Sequence, residues 1–287
     1  MRKHPAFLLS AGALGVLVGA GLIAAAAPAT ATPTANAASN LTGYTKVLSP
    51  TYSTAGSRMA SGSVTCPGTT VPLGGGVTIA TGDLHDNINS SYPSGQKWVV
   101  RVNIGGPDNT TFQVNAICAN RPAGYQIVSR TAAVLAHSKP IISAPCPAST
   151  FAGGGGVSGP ANLYVNLTDS YPFSNGGGWN GGMSYDTSYT TSFTTYVICY
   201  GGAHVSVGSD IRQSAYSEDP SRSSPTVATC PAGYSVVSGG AQAAGRTGSS
   251  LYQTVNSSKP YGNGWVSFVN NNTAGNSGAT VWAVCRG

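Results

Sequence analysis

The chain has 287 residues, of which 14 are Lys or Arg and 8 are Asp or Glu. That charged fraction of about 8%, against roughly 25% in ordinary soluble domains, excludes long solvated helices, whose outer faces need Glu, Lys and Arg. With 39 Gly and 18 Pro, the composition favours short strands joined by many tight turns, and the scattered basic residues lack the density that nucleic-acid binding needs to neutralise phosphates.

In chain order, Met1-Arg2-Lys3-His4 precedes an apolar run from Ala6 to Ala27, followed by Ala29-Thr30-Ala31 and Ala35-Asn36-Ala37. The pattern predicts a signal peptide and processing region over 1–37, and hence a secreted, extracellular protein. A transmembrane anchor is the competing reading, but the run ends in small residues rather than a basic flank. No later segment is long and apolar enough to span a membrane after signal cleavage. The absence of Cys near the cleavage region argues against a lipoprotein. Removing Arg2 and Lys3 leaves twelve basic and eight acidic side chains, so solubility must come from Ser, Thr, Asn and Gly.

The remainder is a triplication. Cysteines fall at 66, 118, 146, 199, 230 and 285, with gaps of 52, 28, 53, 31 and 55. Each first Cys is followed by Pro67, Pro147 or Pro231. Nine and ten residues after it stand Gly75-Gly76, Gly155-Gly156 and Gly239-Gly240. Pro93, Pro172 and Pro260 close a polar segment, and Trp98, Trp179 and Trp265 each lie 20 residues before the second Cys. The three copies span 43–122, 123–201 and 202–287. In an oxidising compartment the repeat selects Cys66–Cys118, Cys146–Cys199 and Cys230–Cys285 from the 15 pairings that six cysteines allow. Zinc ligation lacks the short C-x-x-C spacing and partner histidines.

The segment before each second Cys alternates. Phe112, Val114, Ala116 and Cys118 share one face, as do Phe193, Thr195, Val197 and Cys199, and Ala279, Val281, Ala283 and Cys285. Period two predicts a strand with one buried face. Further strands are read at Trp98 to Asn103 and Trp265 to Asn270. Asn180-Gly181-Gly182 after Trp179 predicts a bent or short strand in copy 2. A β-rich segment opens each copy, giving five or six strands per copy. Short connections favour one all-β assembly with pseudo-threefold, β-prism-like symmetry over three separate disulfide-stapled antiparallel β repeats in tandem.

Counting back from the closing Pro predicts Leu84, Ile88, Leu163, Leu167, Leu251 and Val255 inside. His85, Asn87 and Asn89, Tyr164, Asn166 and Thr168, and Tyr252, Thr254 and Asn256 then lie on the outer face. Each copy would present a ring followed by amides or hydroxyls. Tyr196 and Trp282, opposite the cysteine parity, are predicted to be solvent-exposed or packed on a neighbouring copy. The three repeated Trp are predicted core.

The pattern Cys66-Pro67, Gly75-Gly76, Ser91-Tyr92-Pro93, Trp98 and Ala116-Ile117-Cys118 resembles a repeat found in secreted proteins of Gram-positive bacteria. It covers the mature chain three times, with Lys259 in copy 3 where Tyr92 and Tyr171 stand in the others. The resemblance implies export and a disulfide-linked β module, and carries no activity. The threefold arrangement also resembles, at the level of fold, β-prism proteins such as the vitelline membrane outer layer protein and jacalin-type lectins.

Catalysis is hard to stage. The mature chain has a single Glu, Glu218, and three His, His85, His137 and His204. No G-x-S-x-G or H-E-x-x-H motif occurs. Asp83-His85-Asp86 is the best cluster, and it reads first as a polar turn entering a strand. The Gly-rich runs Gly153–Gly156 and Gly176–Gly178 read as turns or bulges, not phosphate loops. No cofactor, metal site or catalytic residue is expected. The residues favour a non-enzymatic binding module for carbohydrate or a cell-envelope polymer, with rings stacking on sugar faces and amides meeting hydroxyls. The alternative is an extracellular structural protein whose partner is another protein, and a secreted hydrolase is a lesser reading.

Overall fold

The computed structural model describes residues 41–202, 204–213, 227–243, 252–272 and 277–287. The expectations for the signal peptide, Glu218 and Leu251 fall outside them. These described residues form one compact unit.

Copy 1 contains β1 (Thr45–Leu48), β2 (Tyr52–Thr54), β3 (Arg58–Thr65), β4 (Val71–Ile79), β5 (Asp86–Ser94), β6 (Lys97–Ile104) and β7 (Thr110–Ala119). Copy 2 contains β8 (Gln126–Val134), β9 (Ile141–Pro145), β10 (Phe151–Ser158), β11 (Val165–Pro172), β12 (Gly178–Tyr185) and β13 (Thr191–Tyr200). Copy 3 contains β14 (His204–Gln213), β15 (Val227–Thr229), β16 (Ser235–Ala243), β17 (Gln253–Tyr261), β18 (Gly264–Asn271) and β19 (Ser277–Arg286). No helix among the described residues is long and apolar enough to cross a membrane.

The 19 strands form three antiparallel sheets, and every sheet is shared between two copies. One runs β1-β7-β4-β17-β18-β15 with β2 also on β7, the second β3-β6-β5-β10-β13-β8, the third β14-β19-β16-β11-β12-β9. Copies 2 and 3 therefore each give three strands to one sheet and three to the next, and copy 1 gives four and three, in cyclic order. This is the pseudo-threefold prism expected from the triplication, and it excludes three separate beads. The joints are β4 against β17, β5 against β10 and β11 against β16.

The Gly-Gly pair explains why the joints can form. A β-carbon on Gly75, Gly155 or Gly239 would stand 2.2–2.4 Å from the Trp98, Trp179 or Trp265 ring of its own copy. The second glycine faces the neighbouring copy. A β-carbon on Gly76, Gly156 or Gly240 would lie 1.9, 2.1 or 1.8 Å from the carbonyl oxygen of Ser258, Ser91 or Ser170. The residue before each pair sits where the copies converge, since β-carbons on Gly74 and Gly154 would both press on the Ser238 side chain. Room exists there for one side chain, and Ser238 occupies it.

The Trp rings are buried, and each indole Nε1 donates to a serine hydroxyl, Ser91 at 2.9 Å, Ser170 at 2.9 Å and Ser258 at 2.8 Å. Their role is core packing, as read from their fixed spacing. The disulfides pair as the repeat predicts, Cys66–Cys118, Cys146–Cys199 and Cys230–Cys285. Each joins the end of a strand in one sheet to a strand in the adjacent sheet, so the three bridges staple the prism at one end. They point to an extracellular or otherwise oxidising environment.

The face assignment from cysteine parity holds, with Phe112, Val114, Phe193, Thr195, Val197, Val281 and Ala283 all buried. Two expectations need correction. The strand after Trp179 is neither short nor interrupted, because β12 has 8 residues, as do β6 and β18. Gly181 keeps the ladder close to its neighbours, since a β-carbon there would come 2.3 Å from Thr195 Oγ1. The run Gly153–Gly156 lies inside β10 and contributes one bulge between Ala152 and Gly154; Gly176 does sit in a turn, at φ 69°.

Candidate functional site

The second correction concerns the outer face. β5, β11 and β17 each carry a bulge, between Ile88 and Ser90, Leu167 and Asp169, and Val255 and Ser257. The extra residue is Asn89, Thr168 or Asn256. A bulge breaks the alternation of faces, so the side chain that counting places outside turns inward. Asn89, Thr168 and Asn256 are all 0% exposed. Asn87 and Thr254 are also largely buried, while Asn166 is half-buried.

These buried amides lace neighbouring copies together. Asn89 Nδ2 donates to Pro160 O at 3.0 Å and Val165 O at 2.8 Å. Asn103 Nδ2 donates to Val165 O at 2.9 Å and Asn166 Oδ1 at 2.8 Å. In the next sheet Asn256 Nδ2 reaches Asp86 O at 2.8 Å, and Asn270 Nδ2 reaches Asp86 O at 2.9 Å and Asn87 Oδ1 at 2.8 Å. Thr254 Oγ1 also donates to Asn87 Oδ1. Thr168 instead donates to Asp169 Oδ2 at 2.8 Å, and that carboxylate lies 3.8 Å from Lys139 Nζ. Asn103 and Asn270 were legible as a repeated residue five positions after Trp98 and Trp265, but nothing in the sequence alone separates a girdle amide from a surface one. Asn103→Ala is expected to destabilise the fold by about 1–3 kcal/mol, because it removes a buried donor that bonds Val165 O and Asn166 Oδ1 across the joint between copies. Urea unfolding measures it.

The residues just before β5 and β11, and Tyr252 just before β17, meet at the end of the prism opposite the disulfides. There His85, Tyr164 and Tyr252, the equivalent ring of each copy, surround one cup of about 350 Å³. Leu84 and Leu163, expected in the core, are only half-buried and line this cup. They line its wall instead of packing in the core, which corrects the inward placement read by counting. Asn87, Asn166 and Thr254 form its inner wall, joined by Ser57, Gly105 and Asn272 from adjacent turns. None of those three could be assigned from repeat position, because each comes from a loop outside the aligned strand. Tyr164 is 66% and Tyr252 50% exposed.

Among the described residues, no Lys, Arg, Asp or Glu lines the cup. Asp83 stands behind it, where one oxygen accepts from the His85 backbone N–H at 2.8 Å and contacts His85 Nδ1 at 2.9 Å. Asp86 is buried, and accepts hydrogen bonds from Thr81 Oγ1 and, at 3.3 Å, the Gly106 N–H. Burial pushes its carboxyl above the usual range, against the pull of these bonds. Asp83-His85-Asp86 is thus the polar turn read from the sequence. Among the described residues no cluster of His, Cys, Asp or Glu could hold a metal ion.

The remaining two candidates lie on the sheets, away from the cup. Tyr196 of copy 2 stacks on Tyr92 of copy 1 with centroids 5.2 Å apart, and Trp282 of copy 3 stacks on Tyr171 of copy 2 at 6.2 Å. Both are half-buried seam residues, the second of the two expectations for them. The third seam carries Lys259 and Asn115 at the equivalent positions and has no such pair.

A broader, shallower depression of about 590 Å³ lies beside β2, lined by Ser53, Thr54, Ala80, Thr81, Asn109 and Thr111 among others. Among the described residues its lining comes from copy 1 and includes no aromatic ring, so the axial cup is the site that the triplication itself constructs. In comparisons with known proteins, the chain matches no protein-family model and no curated protein.

Proposed function

We propose that this is a secreted, non-enzymatic binding module that takes carbohydrate or a cell-envelope polymer in the axial cup. The observation that carries the reading is the convergence of His85, Tyr164 and Tyr252 on one cavity whose lining, among the described residues, carries no permanent charge. Aromatic faces stack on the apolar faces of sugars, amides and hydroxyls bond to their hydroxyls, and a neutral ligand needs no countercharge. The repeat would present one such face per copy; one shared cup instead predicts one ligand per chain. The resemblance to a repeat of exported Gram-positive proteins, together with the disulfides, supports an extracellular setting.

A glycan array and a pull-down on cell-wall polysaccharide test the reading, with the Tyr164→Ala/Tyr252→Ala double variant as comparison. Both rings are exposed, so the variant should fold. We expect saturable one-to-one binding by the natural chain. Loss of two ring contacts at more than about 1 kcal/mol each corresponds to roughly thirtyfold weaker binding. Failure of the natural chain to bind any glycan or wall preparation would overturn the proposal in favour of an extracellular structural or protein-interaction role.

A further inference from the structure

At the disulfide end the three copies are closed by equivalent residues. Thr45, Gln126 and Val205 face the second Cys of each copy, and the residues before them are Tyr44, Tyr125 and His204. Tyr44 Oη donates to Val236 O at 2.7 Å and Tyr125 Oη to Pro72 O at 2.8 Å. Val236 and Pro72 each stand six residues after a first Cys. Each tyrosine thereby ties the opening strand of its copy to the bulged strand of a neighbour. Copy 3 breaks the rule, because neither ring nitrogen of His204, though both are buried, makes a hydrogen bond of good geometry.

The surroundings of His204 favour a neutral ring. Its imidazole meets the edge of Tyr200 at 4.6 Å and lies 6.2 Å from Phe151. Tyr200 is fully buried, in space left by Gly153, where a β-carbon would come 2.0 Å from the ring. The Arg286 guanidinium lies over the Tyr200 ring at 5.1 Å, and Arg286 is the partner of His204 in the β14–β19 ladder. Tyr125 lies 6.5 Å from Tyr200 and carries Arg121 over its face at 4.8 Å. Among the described residues, the titratable and charged side chains around His204 are Tyr200 from β13, Arg286 from β19 and, further out, Tyr125, Tyr44 and Arg121. None of these is a carboxylate. A second positive charge here would be desolvated beside an existing one.

We infer that His204 is an acid-operated latch, whose protonation frees the start of β14 from the disulfide end while the Tyr44 and Tyr125 ties keep β1 and β8 closed. Burial, and after it the charge of Arg286, push the imidazole from 6.5 down to about 4, with the Gly202 backbone pulling the other way. The closed form therefore binds fewer protons than the open form. The latch is intact above pH 6.5 and weakens as pH falls toward about 4. At pH 5 the open fraction should be about 30-fold larger than at pH 8.

Hydrogen–deuterium exchange on the intact chain at pH 8, 6.5 and 5, corrected for intrinsic rates, tests the latch. Amides of 204–208 and 282–286 should lose about 30-fold protection by pH 5, while those of β1 and β8 hold theirs. His204→Phe keeps an aromatic ring that cannot titrate and should abolish the change. His204→Tyr, which restores the residue type of the other two copies, serves if the Phe variant does not fold. Burial raises the Asp86 carboxyl, which shifts stability in the opposite direction and cannot imitate the effect. Unchanged protection at pH 5, or the same loss in the His204 variants, overturns the inference.

Discussion

Gly240→Ala is expected to cost about 3 kcal/mol or more, at the upper end for overpacking, because the new methyl would meet backbone rather than a movable side chain. A β-carbon at Gly240 would stand 1.8 Å from Ser170 O. That carbonyl belongs to a residue whose hydroxyl holds the Trp179 indole and whose backbone forms the joint between β11 and β16. Relief must come from separating the two copies at their joint. Gly76→Ala and Gly156→Ala, at 1.9 and 2.1 Å from Ser258 O and Ser91 O, should behave alike. Gly95 makes the control. It has a φ of 58° and nothing within 4 Å of a β-carbon, so Gly95→Ala should cost only the left-handed backbone penalty of about 1–2 kcal/mol. Equal unfolding midpoints for the Gly240 and Gly95 variants would remove the joint argument.

Removing the Cys66–Cys118 bridge by a double Cys→Ala substitution is expected to cost about 4 kcal/mol from the entropy regained by the unfolded chain. The sequence separations of the three bridges are 52, 53 and 55 residues. Because loop entropy grows only as the logarithm of length, the three double variants should lose nearly equal stability in urea titrations. Their place in the fold adds a common mechanical effect. Each bridge holds two adjacent sheets together at the closed end, so reduction should loosen β1, β8 or β14 before the joints fail. Markedly unequal losses would mean that native-state packing, not loop closure, dominates.

Much of this fold was legible in the chain. The recurrence of Cys-Pro, Gly-Gly, Trp and Cys at fixed intervals revealed three copies, and the period-two alternation before Cys118, Cys199 and Cys285 distinguished inside from outside. Both signals are local, set by pleat geometry and by spacing along one copy. The counting failed at Asn89, Thr168 and Asn256, because one inserted residue reverses parity and a bulge leaves no distinct residue type behind. It also failed to show that Leu84 and Leu163 line a mouth. Burial of a loop residue depends on which loops of other copies stand beside it.

The sequence by itself determined an all-β chain of three repeats, which cysteines pair, and which face of each cysteine strand is buried. These follow from periodicity and composition within each repeat. The tertiary structure alone decided that every sheet is shared between two copies, that the second glycine of each pair is the joint, and that three separate rings, His85, Tyr164 and Tyr252, meet in one cup. Those properties belong to contacts between residues about 65 or more positions apart; the spacing within a repeat is the same whether its neighbours touch it or not.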